Sequence, residues 1–191
     1  MNSLKIKDLV TIGVFAVLYF VVMFAVGMIN VIPILFLCYP TILGIFSGVL
    51  VLFFMMKEQK PFALLIFGMI SPLGMFFLGH TFYMPLLAFV SVALAELIRR
   101  ILGYHSVKGN MISFAVFNTW ICASLMQMLL AKEKFMEMWQ MMGDEHAEKL
   151  EKLISAPTML LVYVGAFVGG IIGAFIARAM LKKHFQKAGL I

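Results

Sequence analysis

The chain has 191 residues, 63% of them hydrophobic and only 13% charged, with a mean hydropathy of +1.05, values that exclude an ordinary water-soluble domain. Its formal charge of +6 comes from 15 Lys and Arg against 9 Asp and Glu, yet the basic residues sit in short segments between apolar runs and offer no face that a nucleic acid could follow. Cys38 and Cys122 each lie inside an apolar run without a partner at metal or redox spacing, so neither a disulfide nor a metal site is expected, and no cofactor is required.

A membrane-spanning helix needs about 20 mostly apolar residues. The sequence meets or approaches that length near 8–29, 33–56, 61–79, 82–100, 110–131 and 157–180. The expected fold is therefore an all-α integral membrane protein, one domain of six transmembrane helices over residues 1–191. The first run follows Lys5, Lys7 and Asp8 and continues to Ile29; it is too long for a signal-peptide core and should be retained as a helix. Pro33, Pro61 and Pro157 each open a run, where a missing backbone N–H costs nothing because the first turn has no intrahelical acceptor. The turn from Leu78 to Phe82 is short and uncharged, but fusing its flanking runs would give about 40 residues at 1.5 Å each, longer than a bilayer is thick.

The fourth run ends on Glu96, Arg99 and Arg100. That spacing predicts helix-surface pairs, with the arginines reaching lipid headgroups. A membrane-protease reading would need a second acidic residue beside Glu96 and histidines at the same depth. Neither is visible, and no Walker A loop occurs, so the chain is expected to be no enzyme and to power nothing by itself.

After the fifth run, residues 132–156 alternate apolar positions (Phe135, Met138, Trp139, Met142, Leu150, Leu153, Ile154) with charges at spacings of three and four. This reads as an amphipathic helical hairpin about Gly143, lying on the membrane surface or closing over a pocket. The sixth run carries Gly165, Gly169, Gly173 and Ala177 four residues apart, a small-residue groove for close helix packing. Gly13 and Ala16 in the first run and Gly44 and Gly48 in the second are further small residues that could face a partner.

Basic residues orient the bundle. With both termini in the cytoplasm, the inner segments hold eleven of the fifteen Lys and Arg, and the other four lie in the charged 132–156 segment, as the positive-inside rule requires. Polar groups in the outer half are few, and each needs a partner or a ligand. Tyr39, His80, Tyr83, Trp120, Gln127 and Tyr163 are the candidate substrate-binding residues, with Trp139 on the lid; Asn30 in the first outer turn is a further polar group, and Asn118 lies on the opposite side of its helix from Gln127.

Six helices in about 190 residues, both ends inside, no ATPase motif and a long outer connection before the last helix resemble the S component of an energy-coupling factor (ECF) transporter, a bacterial cell-membrane importer. The opening Leu4-Lys-Ile-Lys-Asp-Leu-Val-Thr-Ile-Gly-Val-Phe-Ala16, Lys60-Pro61 and the stretch from Gly68 to Gly79 resemble its Trep_Strep branch. The resemblance implies capture of a vitamin or other micronutrient near the outer face through helices 4 to 6 and the outer loops. It also implies docking through helices 1 to 3 on a transmembrane T subunit that carries two cytoplasmic ATPases. The paired alanines usual on helix 1 of that family are represented here by Gly13 and Ala16 alone, since positions 12 and 20 are Ile and Phe. A Met-rich, aromatic pocket with a histidine suits a flat hydrophobic cargo such as haem. The alternative reading is a ligand-free membrane scaffold or assembly protein.

Overall fold

The computed structural model describes residues 3–134, 137 and 144–187, and all regular secondary structure among them is helical. Among the described residues eight α-helices follow one another: α1 (Ile6–Gly27), α2 (Pro33–Lys57), α3 (Ala63–Phe77), α4 (Tyr83–Leu102), α5 (Val107–Asn118), α6 (Cys122–Leu130), α7 (Asp144–Leu153) and α8 (Ala156–Lys187). Short 3-10 turns, Met28–Val31 and Thr119–Ile121, join α1 to α2 and α5 to α6. Among the described residues four stretches are long and apolar enough to cross a bilayer: Ile6–Asn30, Ile34–Lys57, Val107–Leu130 and Ala156–Lys182. α3 is apolar but has 15 residues, and the 20 residues of α4 include Glu96, Arg99 and Arg100.

Local chemistry sets the boundaries. Asp8, in the first turn of α1, accepts the Lys5 backbone N–H at 2.6 Å and also pairs with Lys60, tying the start of α1 to the turn before α3. Pro33 opens α2. α3 starts at Ala63 rather than at Pro61, because Phe62 adopts a left-handed backbone (φ 66°) that a bulky residue holds only under restraint. Its N–H donates to Glu96 Oε1 at 2.8 Å. Ser106 accepts the Gly109 N–H at 3.0 Å and so caps α5 at Val107, three residues before the expected start. At the Thr119–Ile121 turn, Thr119 Oγ1 donates back to the Val116 carbonyl at 2.7 Å, a local bond that competes with the regular helical ladder.

The expected helix exterior and interior are inverted relative to a soluble protein. Val14, Val17, Val21 and Phe24 of α1, Leu86, Val90 and Leu94 of α4, and Leu160, Val164 and Phe175 of α8 are exposed, whereas Ser47, Asn110, Ser113, Asn118 and Gln127 are buried. Apolar flanks are what a lipid solvent demands, and inside, Asn110, Ser113, Asn118 and Gln127 each make hydrogen bonds to neighbouring helices or turns.

α2 and α8 share the most extensive contact. They run side by side because glycine removes the side chains between them: a Cβ on Gly173 would lie 2.1 Å from the Gly44 carbonyl oxygen, and one on Gly169 would lie 2.3 Å from that of Thr41. Ala177 is buried in the core below them. Asn118 clamps this seam, donating from Nδ2 to the carbonyls of Pro40 at 2.9 Å and Ala166 at 2.8 Å. Gly44 and Gly48 are thus taken up by the packing of α8 and do not face an open surface; Gly48 abuts Gly173, and Gly44 abuts Gly170 and Asn118. Gly13 does face open space, while Ala16 is buried in the core.

α1, α3 and α5–α6 start at the end that holds Lys5, Lys7, Lys57, Lys60, Arg99, Arg100 and Lys108; α2, α4 and α8 start at the opposite end. The expected helix-surface pairing of Glu96 and Arg99 is corrected at this basic end. Arg99 is wholly buried and Glu96 is 7% exposed; Arg100 alone of the three remains exposed. Arg99 donates to the carbonyls of Met55 and Glu58 at 2.7 and 2.8 Å and to Asn110 Oδ1 at 2.9 Å, and lies over the Tyr104 ring at 5.1 Å. It satisfies the last carbonyls of α2, which have no intrahelical donors. Tyr104 donates to Glu96 Oε1 at 2.9 Å; burial and then that bond push its hydroxyl up to about 12.

Candidate functional site

Cavities open at both ends of the bundle. At the basic end, about 710 Å³ is bounded by Lys7, Lys57, Lys60, Asp8, Glu58 and His105 among others. Glu58 titrates above the usual carboxylate range there because it is buried and faces Asp8. At the opposite end a smaller cavity of about 360 Å³ lies between α1, α2 and the α3–α4 turn, within the size range of small-molecule sites. Its walls are Met23, Phe24, Gly27, Met28, Asn30, Phe36, Tyr39, Met75, His80 and Ser124. No Asp, Glu, Lys or Arg is among them. We take this second cavity as the site: it combines apolar walls with a few fixed polar groups, whereas the larger one is lined by charges of both signs.

The polar edge of the site is built from one glutamine. Gln127, at 1% exposure, accepts from the Thr81 backbone N–H at 2.8 Å and from Thr81 Oγ1 at 2.9 Å. A backbone N–H is only ever a donor, so Oε1 of Gln127 is fixed there and its Nε2 points the other way. That nitrogen donates to His80 Nδ1 at 3.0 Å and to the Ser124 carbonyl at 3.1 Å, with Met84 Sδ 3.8 Å away. The turn 78–82, which carries no charge, is thereby locked onto α6. Tyr39 donates its hydroxyl to the Met23 carbonyl at 3.1 Å, joining α2 to α1 at the cavity wall. Ser124 spends its hydroxyl on the Ile121 carbonyl at 2.7 Å.

Two of the seven expected binding residues, Tyr39 and His80, line this cavity, and Gln127 supports it through His80. Trp120 sits elsewhere: wholly buried, it donates to the Tyr19 hydroxyl at 2.9 Å within an aromatic cluster with Phe67 and Phe117. Tyr83 packs against Phe82 in a tilted ring pair, with centroids 4.1 Å apart, and is not part of the wall. Tyr163 packs against a separate cluster containing Cys122, Leu125 and Met159. Trp139 lies outside the described residues. Sequence reasoning placed neither the end of α1 nor the turn after it in the site, yet Met23, Phe24, Gly27, Met28 and Asn30 supply half the wall. The signal available was Asn30, a lone amide at the end of an apolar run.

Burial lowers the pKa of the His80 imidazole from its usual value near 6.5, and the Gln127 bond partly offsets this. The fold thus favours neutral His80, and the unfolded chain binds more protons in the window below 6.5, so this contribution to stability is complete above that pH and is lost as pH falls through it. Wild type should therefore lose its thermal-stability advantage over a His80→Leu variant between about pH 7.5 and about pH 5.5. A gap that stays constant or widens would show that the fold does not select the neutral ring.

The model of a family of hypothetical bacterial integral membrane proteins, Trep_Strep, matches residues 6–187. The chain belongs to the Trep_Strep family. No curated protein and no solved structure matches it. Membership establishes an integral membrane protein, and the apolar helices agree with that location.

Proposed function

We propose that this Trep_Strep protein is the substrate-capture subunit of an ATP-driven micronutrient importer in the bacterial cell membrane, an S component of the ECF type. The observation that carries the reading is the cavity of about 360 Å³ at the end opposite the basic end, with methionine and aromatic walls and a few fixed polar groups. Six membrane helices with both termini inside follow if α3 and α4 also cross. The gathering of Lys5, Lys7, Lys57, Lys60, Arg99, Arg100 and Lys108 at one end supports that orientation, in which the cavity faces outside. α3, at about 22 Å, spans with its flanking turns and a locally thinned bilayer.

Energy comes from partners: a transmembrane T subunit with two cytoplasmic ATPases. The exposed strip of α1 around Gly13, flanked by Leu9, Val10 and Val17, is the surface available for close docking. Gly13→Trp meets nothing inside the bundle, so it should leave thermal stability within about 0.5 kcal/mol of wild type while lowering recovery of the T subunit in a pull-down. Undiminished recovery would place docking on another face.

Haem fits poorly through His80. Its Nδ1 accepts from Gln127, which leaves the proton on Nε2 and no lone pair there for iron. The soft groups left in the wall are the thioethers of Met23, Met28 and Met75.

Native mass spectrometry of protein extracted gently from its own membranes tests the reading. The expected spectrum shows one small molecule per chain, lost in a Gln127→Ala variant. A bare chain that instead retains another protein would favour the scaffold alternative.

A further inference from the structure

Resting on the capture reading above, the hydrogen-bond pattern of the cavity says what kind of molecule it takes. Among the described residues the wall contains no acidic or basic side chain, and an ion carried into an apolar site without a countercharge is heavily penalised. Among the described residues two polar groups of the wall stand out. The first is His80 Nε2–H. The Thr81 N–H fixes the direction of the Gln127 amide, the amide nitrogen then donates to Nδ1, and a neutral imidazole with an occupied Nδ1 acceptor must carry its proton on Nε2. The second is Asn30 Oδ1, buried and without a hydrogen-bond partner among the described residues. The hydroxyl hydrogens of Tyr39 and Ser124 are engaged with backbone carbonyls, so they do not compete for a ligand's acceptor.

We infer that the site binds an uncharged, mainly apolar molecule carrying one hydrogen-bond acceptor for His80 Nε2–H and one donor for Asn30 Oδ1, the pairing found in a carboxamide, a lactam or a related heterocycle. The polarity is directional. A carboxylate of the same shape brings acceptors only and a charge that nothing in the wall neutralises.

A matched pair of probes tests this on the full-length protein in detergent: 1-naphthamide and 1-naphthoate, followed by thermal shift and by isothermal calorimetry. The amide should bind at least roughly tenfold more tightly than the acid, because an unpaired buried donor or acceptor is costly. His80→Phe and Asn30→Leu should each reduce that preference. Since either variant can perturb folding, nitrogen-15 spectra of the histidine-labelled wild type supply an independent readout, with Nε2 of His80 protonated and Nδ1 not. Equal or tighter binding of 1-naphthoate, or a His80 ring protonated on Nδ1, would overturn the ligand class while leaving capture standing. Failure of both probes to bind would instead remove the capture reading on which the class depends.

Discussion

Arg99→Ala should be the most damaging substitution in the basic half of the bundle. The guanidinium is wholly buried and its loss strands three acceptors, the carbonyls of Met55 and Glu58 and Oδ1 of Asn110. Each buried polar group left unpaired costs about 1–3 kcal/mol, so the total is roughly 3 kcal/mol or more even if water repairs part of it. Glu96 also loses a neighbouring positive charge. Arg99→Lys should recover only part of this, because an ammonium is a compact point charge that cannot reproduce the fork reaching α2 and α5 together. Thermal unfolding in detergent, read against wild type, checks the order wild type, Lys, Ala. A variant Arg99→Ala with wild-type stability would mean that the charge is solvated rather than built in.

Gly173 tests the other half of the architecture. A Cβ at this position would lie 2.1 Å from the Gly44 carbonyl oxygen and 3.0 Å from its carbon, and both are backbone atoms with no flexible side chain to move aside. α2 and α8 would have to part, releasing the Asn118 bonds to Pro40 and Ala166 and opening the most extensive interface in the protein. Gly173→Leu should therefore give no monodisperse protein on size-exclusion chromatography, and Gly173→Ala should be clearly destabilised. Gly74→Ala is the control, since a Cβ there meets nothing within 4 Å and alanine is the better helix former by up to about 1 kcal/mol. Equal behaviour of the two alanine variants would contradict the close seam.

The helical run of the chain was legible because apolar length, proline placement and charge are local signals. Pro33 stands at the start of α2 in both readings, and the glycine spacing of α8 pointed to a groove before anything showed what filled it. What the spacing left open was which helix entered. Gly44 and Gly48 looked like docking positions because a small-residue stripe reads the same whether its partner lies inside or outside the chain. Arg99 illustrates a related blindness. Glu96, Arg99 and Arg100 at three- and four-residue spacing describe a solvated helix face equally well, and only the arrival of the ends of α2 and α5 makes Arg99 an internal cap. For the site, His80 and Tyr39 were visible as polar residues in apolar surroundings, but Trp120 was chosen by the same criterion and proves to serve the core through Tyr19. The α1 contribution of Met23 and Met28 was hidden because methionines in a membrane helix look alike whether they meet lipid or a cavity.

The central claim is that this protein recognises a small molecule on its own and moves it only with help. Reconstitution measures that directly. The molecule recovered from the native-membrane preparation is supplied outside liposomes holding the chain alone, then outside liposomes that also hold the T subunit and the two ATPases with ATP inside. The account predicts binding at one molecule per chain in both cases and accumulation only in the second. Accumulation by the solitary chain, or ATP-driven uptake that is undiminished when the chain is left out, would contradict it.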